Sequence, residues 1–133
     1  MRNETKDNIQ IVELWHEALN IKHKKGLSEL VKENVKMVGP KGNVEGVNIM
    51  LEWIDRANIM LTPKRYFQLN DIVIVEELAV WYEAETEKEM DTALVASVFV
   101  LENGLITSIQ RYNSINEAFD VTGLNELTLV ERK

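Results

Sequence analysis

The order of hydrophobic patterns along the chain predicts an α+β domain, with helical spacing first and a meander of long antiparallel strands after it. Three observations carry this. Ile11, Val12, Trp15, Ala18 and Leu19 recur at the three- and four-residue spacing of an amphipathic helix. The run Asp71–Glu83, DIVIVEELAVWYE, is too rich in β-branched and aromatic residues for a helix and is long for a strand. Asn103-Gly104 joins two apolar runs, which is the strongest short hairpin signal.

Residues 1–8 are polar and are expected to fray. The first helix is expected to end in His23-Lys24-Lys25-Gly26, with cations near its negative end and Gly26 as a C-cap. Leu27, Leu30 and Val31 mark a second short helix, Val35–Val38 a short strand, and Gly39-Pro40-Lys41-Gly42 a turn. Gly46–Met60 is helical, with Asn48, Glu52, Asp55 and Arg56 on its polar side and a broad apolar arc opposite. Thr62-Pro63 breaks it. Strands are predicted at Arg65–Leu69, Ile72–Glu83, Thr92–Leu101 and Leu105–Tyr112, with Glu85–Met90 as a polar loop. Ile115–Val121 forms a closing helix stopped by Gly123, and Leu127–Val130 has the composition of an added edge strand. Residues 1–133 form one domain, with 1–8 and 125–133 as peripheral tails.

Successive side chains of a strand point to opposite faces, so both faces of Ile72–Glu83 are apolar and both need cover. Val73, Val75, Glu77, Ala79 and Trp81 share one face, which is predicted to meet the helices. Ile72, Ile74, Glu76, Leu78 and Val80 share the other.

A chain of 133 residues, 45% hydrophobic and 28% charged, can bury a sizeable core. Its formal charge of −7 argues against non-specific binding to nucleic acid, which rests on phosphate neutralisation. The absence of cysteine removes disulfides, thiolate zinc sites and cysteine nucleophiles together. No apolar signal core and no segment of transmembrane length is present, so no membrane partner is expected and the cytoplasm is the default location. Gly39, Gly42 and Gly46 lack phosphate-loop spacing, and two isolated histidines make a weak metal case, so no cofactor and no metal are expected.

VELWHEALN (12–20), the GPKG turn (39–42), EGVNIMLEWIDRA (45–57), VIVEELAVW (73–81) and FVLENGLITSIQRY (99–112) together resemble the nuclear transport factor 2-like superfamily, and within it the SnoaL-like domains. The resemblance spans roughly residues 8–124. It implies a cone, in which a curved antiparallel sheet wraps around the N-terminal helices and encloses an apolar pocket, and it implies frequent homodimers. The superfamily includes ketosteroid isomerase, limonene epoxide hydrolase, scytalone dehydratase and polyketide cyclases, so the fold alone confers no reaction.

Position by position, the isomerase chemistry is not matched. The aspartate base before the turn proline corresponds to Gly39, the oxyanion-hole tyrosine to Trp15, and Thr92–Leu101 contains no carboxylate, with Asp91 just outside it. The Asp–Arg–Asp set of the epoxide hydrolase falls on Glu77, Ala79 and Arg111, leaving one acid and one base with exchanged positions. Glu77 and Arg111 are therefore the candidate catalytic pair: a pocket-lining ion pair with Glu77 as general base, or two buried charges that neutralise one another. The candidate ligand-binding residues are Trp15, Trp53, Val75, Glu77, Trp81 and Arg111, the three indoles offering an aromatic pocket for a flat apolar ligand or simply packing the core. His16 reads as a structural histidine at the helix edge and His23 as surface.

Three functions follow: a binder of a small apolar molecule, a lyase, isomerase or hydrolase acting on a small cyclic apolar substrate through Glu77 and Arg111, or a protein-interaction module using the outer sheet face. The outer face also predicts a homodimer. Ile72, Ile74, Leu78 and Val80 alternate with the inward set, so the helices are not expected to cover them, and Leu94, Ala96, Val98 and Val100 repeat the pattern on the neighbouring strand. A fold-back of Leu127, Leu129 and Val130 is the competing cover.

Overall fold

The computed structural model describes residues 7–39, 42–83 and 85–130. Pro40 and Lys41 of the expected turn, and residues 1–6 of the expected frayed end, lie outside them. Helix α1 (Asn8–Asn20) starts at a capping box: Asp7 Oδ1 accepts from the Gln10 amide at 2.8 Å, and Gln10 Oε1 accepts from the Asp7 amide at 2.9 Å. Helix α2 spans Lys24–Glu29. Strands β1 (Val31–Gly39) and β2 (Gly42–Glu45) follow, then α3 (Val47–Ala57) and strands β3 (Ile59–Leu69), β4 (Ile72–Tyr82), β5 (Glu89–Glu102) and β6 (Leu105–Tyr112). Helix α4 (Ile115–Thr122), a 3-10 turn at Glu126–Thr128 and the short strand β7 (Leu129–Val130) close the described chain.

The seven strands form one curved sheet in the order β2-β1-β6-β5-β4-β3-β7. It is mixed: β1 runs parallel to β6, because the β1–β2 hairpin docks beside the last long strand, while the other pairs are antiparallel. The α+β class holds, and the concave face wraps the N-terminal helices. Trp15, Leu19, Met50 and Ile54 pack there against Val73, Val75, Ala79 and Phe99.

Several boundaries differ from expectation for local reasons. Gly26 is not a C-cap but lies inside α2; α1 stops earlier, before Lys22 turns left-handed at φ 56°. Val31 belongs to β1 rather than to the second helix. The third helix ends at Ala57, not Met60, because Asn58 is left-handed at φ 48°. Its side-chain amide donates to the Tyr82 carbonyl at 2.9 Å, and its own carbonyl receives the Tyr82 N–H at 3.0 Å. Ile59 and Met60, read as the end of that helix, instead open β3, in which buried Ile59 and Leu61 alternate with Met60 and Thr62 at strand period. Pro63 sits within β3 where the register with β4 shifts, and no described residue of β7 pairs with it. Strand β5 begins at Glu89 and so takes in part of the expected loop.

The outer face is where expectation fails most. Helix α4 lies across it, and Ala118, Leu124 and Phe119 form a second core with Phe67, Ile74, Ala96 and Val98. Phe67 and Phe119 meet edge to face with centroids 5.0 Å apart. The first helices do not cover these residues; the closing helix does. The fold-back of the tail is also corrected. Leu127 is 94% exposed, and Leu129 and Val130 extend the sheet beside Phe67 and Tyr66. Glu76, which shares this face, is paired with Arg65 at 2.7 Å.

Truncating Phe67, which is fully buried between α4 and the sheet, tests the second core. Phe67→Ala should cost about 3–5 kcal/mol of unfolding free energy in urea titrations. A loss within 1 kcal/mol would mean that α4 does not seal this face in solution.

Candidate functional site

Glu77 stands on β4 in the middle of the sheet, facing the helices, and is fully buried. A carboxylate there needs partners on every lone pair it turns inward. Two are present. Ser97 on β5, diagonal to Glu77 across the ladder, donates its hydroxyl to Oε1 at 2.7 Å. His16 on α1 places Nε2 at 2.5 Å from Oε2, while its Nδ1 donates to the Val12 carbonyl, one turn back, at 2.8 Å.

The bond to Val12 fixes the ring. A carbonyl only accepts, so Nδ1 carries a hydrogen. Two lone pairs cannot face one another at 2.5 Å, so one further proton lies between Nε2 and Oε2.

Helix α1 is fixed to the sheet at a second point, where the Asn20 side chain exchanges two 2.9 Å hydrogen bonds with the Leu61 backbone. Between these attachments Trp15 packs edge to face on Phe99 at 5.2 Å. Its indole then forms the floor of a cavity of about 510 Å³. Trp53 and Ala57 of α3, Leu61 of β3, Trp81 of β4, Ser97 of β5, Ile109 and Arg111 of β6, and the β1–β2 hairpin complete the wall. A shallower groove of about 590 Å³ between α1 and α2 has neither the aromatic lining nor a buried polar group.

Arg111 sits directly opposite Ser97 on the neighbouring strand. Its guanidinium lies 5.7 Å from the Trp53 ring centroid and 5.8 Å from that of Trp81, at the outer range of cation–π contact. Burial lowers its pKa from the usual arginine value, and the nearby Glu77 charge offsets this only in part. Arg111 Nη1 and Trp15 Nε1 are buried without a hydrogen-bond partner.

Trp15, Trp53, Trp81 and Arg111 thus come together around one cavity. Glu77 and Val75 lie behind its wall, both fully buried. The expected ion pair is corrected: among the described residues Glu77 forms no salt bridge with Arg111, because its oxygens are already taken by His16 and Ser97. His16, expected at a helix edge, is instead buried at 2% exposure and hydrogen-bonded through both ring nitrogens. Ser97 was missed altogether. The four-residue step from Val12 to His16 and the placement of Ser97 two ladder positions from Glu77 become visible only once the register is known.

No sequence-family model matches the chain, and neither does any curated protein. The likeness is to solved structures. An NTF2-like protein of unknown function from Cytophaga hutchinsonii is 19% identical with a TM-score of 0.72, over 90% of this chain and 99% of that one. A protein with a ketosteroid isomerase-like fold from Catenulispora acidiphila, in complex with trimethylamine, is 20% identical with a TM-score of 0.68, over 86% and 93%. TerC, co-crystallized with polyporic acid, is 13% identical with a TM-score of 0.69, over 85% and 95%. Together with the wrapped sheet, these define the class. The chain has the fold of the nuclear transport factor 2-like superfamily.

Two substitutions separate the roles of the two charged residues. Glu77→Ala leaves His16 Nε2 and the Ser97 hydroxyl without their acceptor, and should cost about 3–5 kcal/mol in denaturant unfolding. Arg111→Met should act in the opposite direction. A base whose folded pKa lies below its unfolded value binds its proton less well in the fold, so its charge costs stability at every pH below both values. Methionine removes that charge and keeps contact with the indoles. The unfolding free energy should rise by about 1 kcal/mol, equally at pH 5 and pH 8. A fall would show that Arg111 has a structural partner.

Proposed function

We propose that the chain is a small-molecule-binding protein whose ligand occupies the cavity under Trp15, Trp53 and Trp81. The observation that carries this is a deep concavity walled by three indoles and aliphatic side chains, with few polar groups turned into it. Two of its structural neighbours were solved with small molecules, trimethylamine in one and polyporic acid in the other. The guanidinium of Arg111 argues against a cation as ligand here.

The enzymatic alternative, with Glu77 as general base, is less well supported. Both Glu77 oxygens are engaged, and Glu77 is not among the described residues that line the cavity. A base must reach the proton it abstracts, directly or through one water.

Binding of a flat bicyclic probe such as 2-naphthamide should quench tryptophan fluorescence saturably. Ala57→Phe, which adds a ring to the cavity wall, should abolish the signal without lowering the melting temperature. Unaltered binding in this variant would place the probe elsewhere.

The outer face supports a second element of the proposal, a homodimer. Helix α4 leaves Met60, Leu78, Val80 and Leu94 uncovered on adjacent strands, with Met60 opposite Val80 and Leu78 opposite Leu94. Met60 is 39% and Leu94 51% exposed. An apolar patch continuous across three strands generally marks a contact surface. Light scattering at micromolar concentration should give twice the monomer mass, and Leu94→Asp should halve it. A native monomer would leave the patch without this role.

A further inference from the structure

We propose that the ligand of the cavity is an aromatic carboxylate, its anion held by the Arg111 guanidinium and the Trp15 indole N–H and its ring lodged against Trp53 and Trp81. This deepens the binding role proposed above and rests on it. Indole nitrogen and guanidinium are donors with no accepting capacity. Buried donors are rarely left unpaired, and here two of them belong to side chains that line the same cavity.

Charge points the same way. No aspartate or glutamate is among the described residues that line the cavity. The nearest carboxylate, Glu77, is held by His16 and Ser97, and its attraction offsets the burial of the Arg111 guanidinium only in part. Among the described residues that line the cavity, Arg111 therefore carries an incompletely balanced positive charge, inside a chain of formal charge −7. A water molecule would satisfy either donor and leave that charge standing. A carboxylate satisfies the donors and removes it, through the planar geometry that guanidinium matches best.

The walls decide what the carboxylate is attached to. The indoles of Trp53 and Trp81 hold the guanidinium near their ring faces, and Leu61 and Ile109 are apolar. A flat ring fits this lining. A phosphate would bring up to two charges to the one cation among the described lining residues, where a carboxylate brings one.

The test compares 2-naphthoate with 2-naphthamide, matched in shape and differing in charge, by calorimetric titration of the full chain. Wild type should bind the acid at least about tenfold more tightly than the amide, the advantage expected of charge-assisted hydrogen bonds. Arg111→Met should abolish the preference by weakening the acid alone, and Trp15→Phe should reduce it. Arg111→Lys, which keeps the charge and loses the fork, should fall between. Equal affinity of acid and amide for the wild type overturns the carboxylate assignment and leaves the binding cavity in place. If neither probe binds, the cavity reading and this proposal fall together.

Discussion

The buried carboxylate of Glu77 is the constraint on which the arrangement of the concave face depends. An ionisable group at the centre of an apolar sheet is tolerated only with its hydrogen bonds completed, and Glu77 draws those from two separate elements. Through His16 it fixes the rotation and height of α1 over the sheet. Through Ser97 it ties β4 to β5 on the inner face. Neither partner can shift by one residue without leaving the carboxylate unmatched, so the polar triad specifies one docking among the many that apolar packing alone would permit.

That docking has a consequence one residue away. Because His16 is turned onto Glu77, its neighbour Trp15 is turned between Phe99 and the cavity. The residues that complete the polar triad also leave Arg111 without an acid. Among the described residues the buried side-chain polar atoms are otherwise paired, so two unpartnered donors on side chains lining one concavity break a rule of folding there. Such exceptions are where function is expected to reside, since a site optimised for a ligand is left unsatisfied without it.

The convex face obeys a different logic. Its apolar residues cannot be covered by α1–α3, which the sheet already encloses, so the chain supplies α4 at its far end. A helix of eight residues is too short to span the long strands, and the part near Leu78 and Leu94 remains open. In the proposed dimer a second copy covers that remainder.

The alternation in Asp71–Glu83, the stripe of α1 and the Asn103-Gly104 turn sufficed to determine the class of fold, the long strands and the face on which Glu77 lies, because period and turn chemistry are local properties of the chain. The β3 start at Ile59 was hidden because a short apolar stretch following a helix fits either period, and only the left-handed Asn58 resolves it. The partner of Glu77 was a tertiary decision. A carboxylate, a histidine and an arginine at positions 77, 16 and 111 carry no record of which two will meet. That depends on the angle at which α1 crosses the sheet, set by packing and by the Asn20–Leu61 bonds. The cover of the outer face was likewise undetermined, since an eight-residue amphipathic helix can dock wherever an apolar surface is left, and the inner face was already filled.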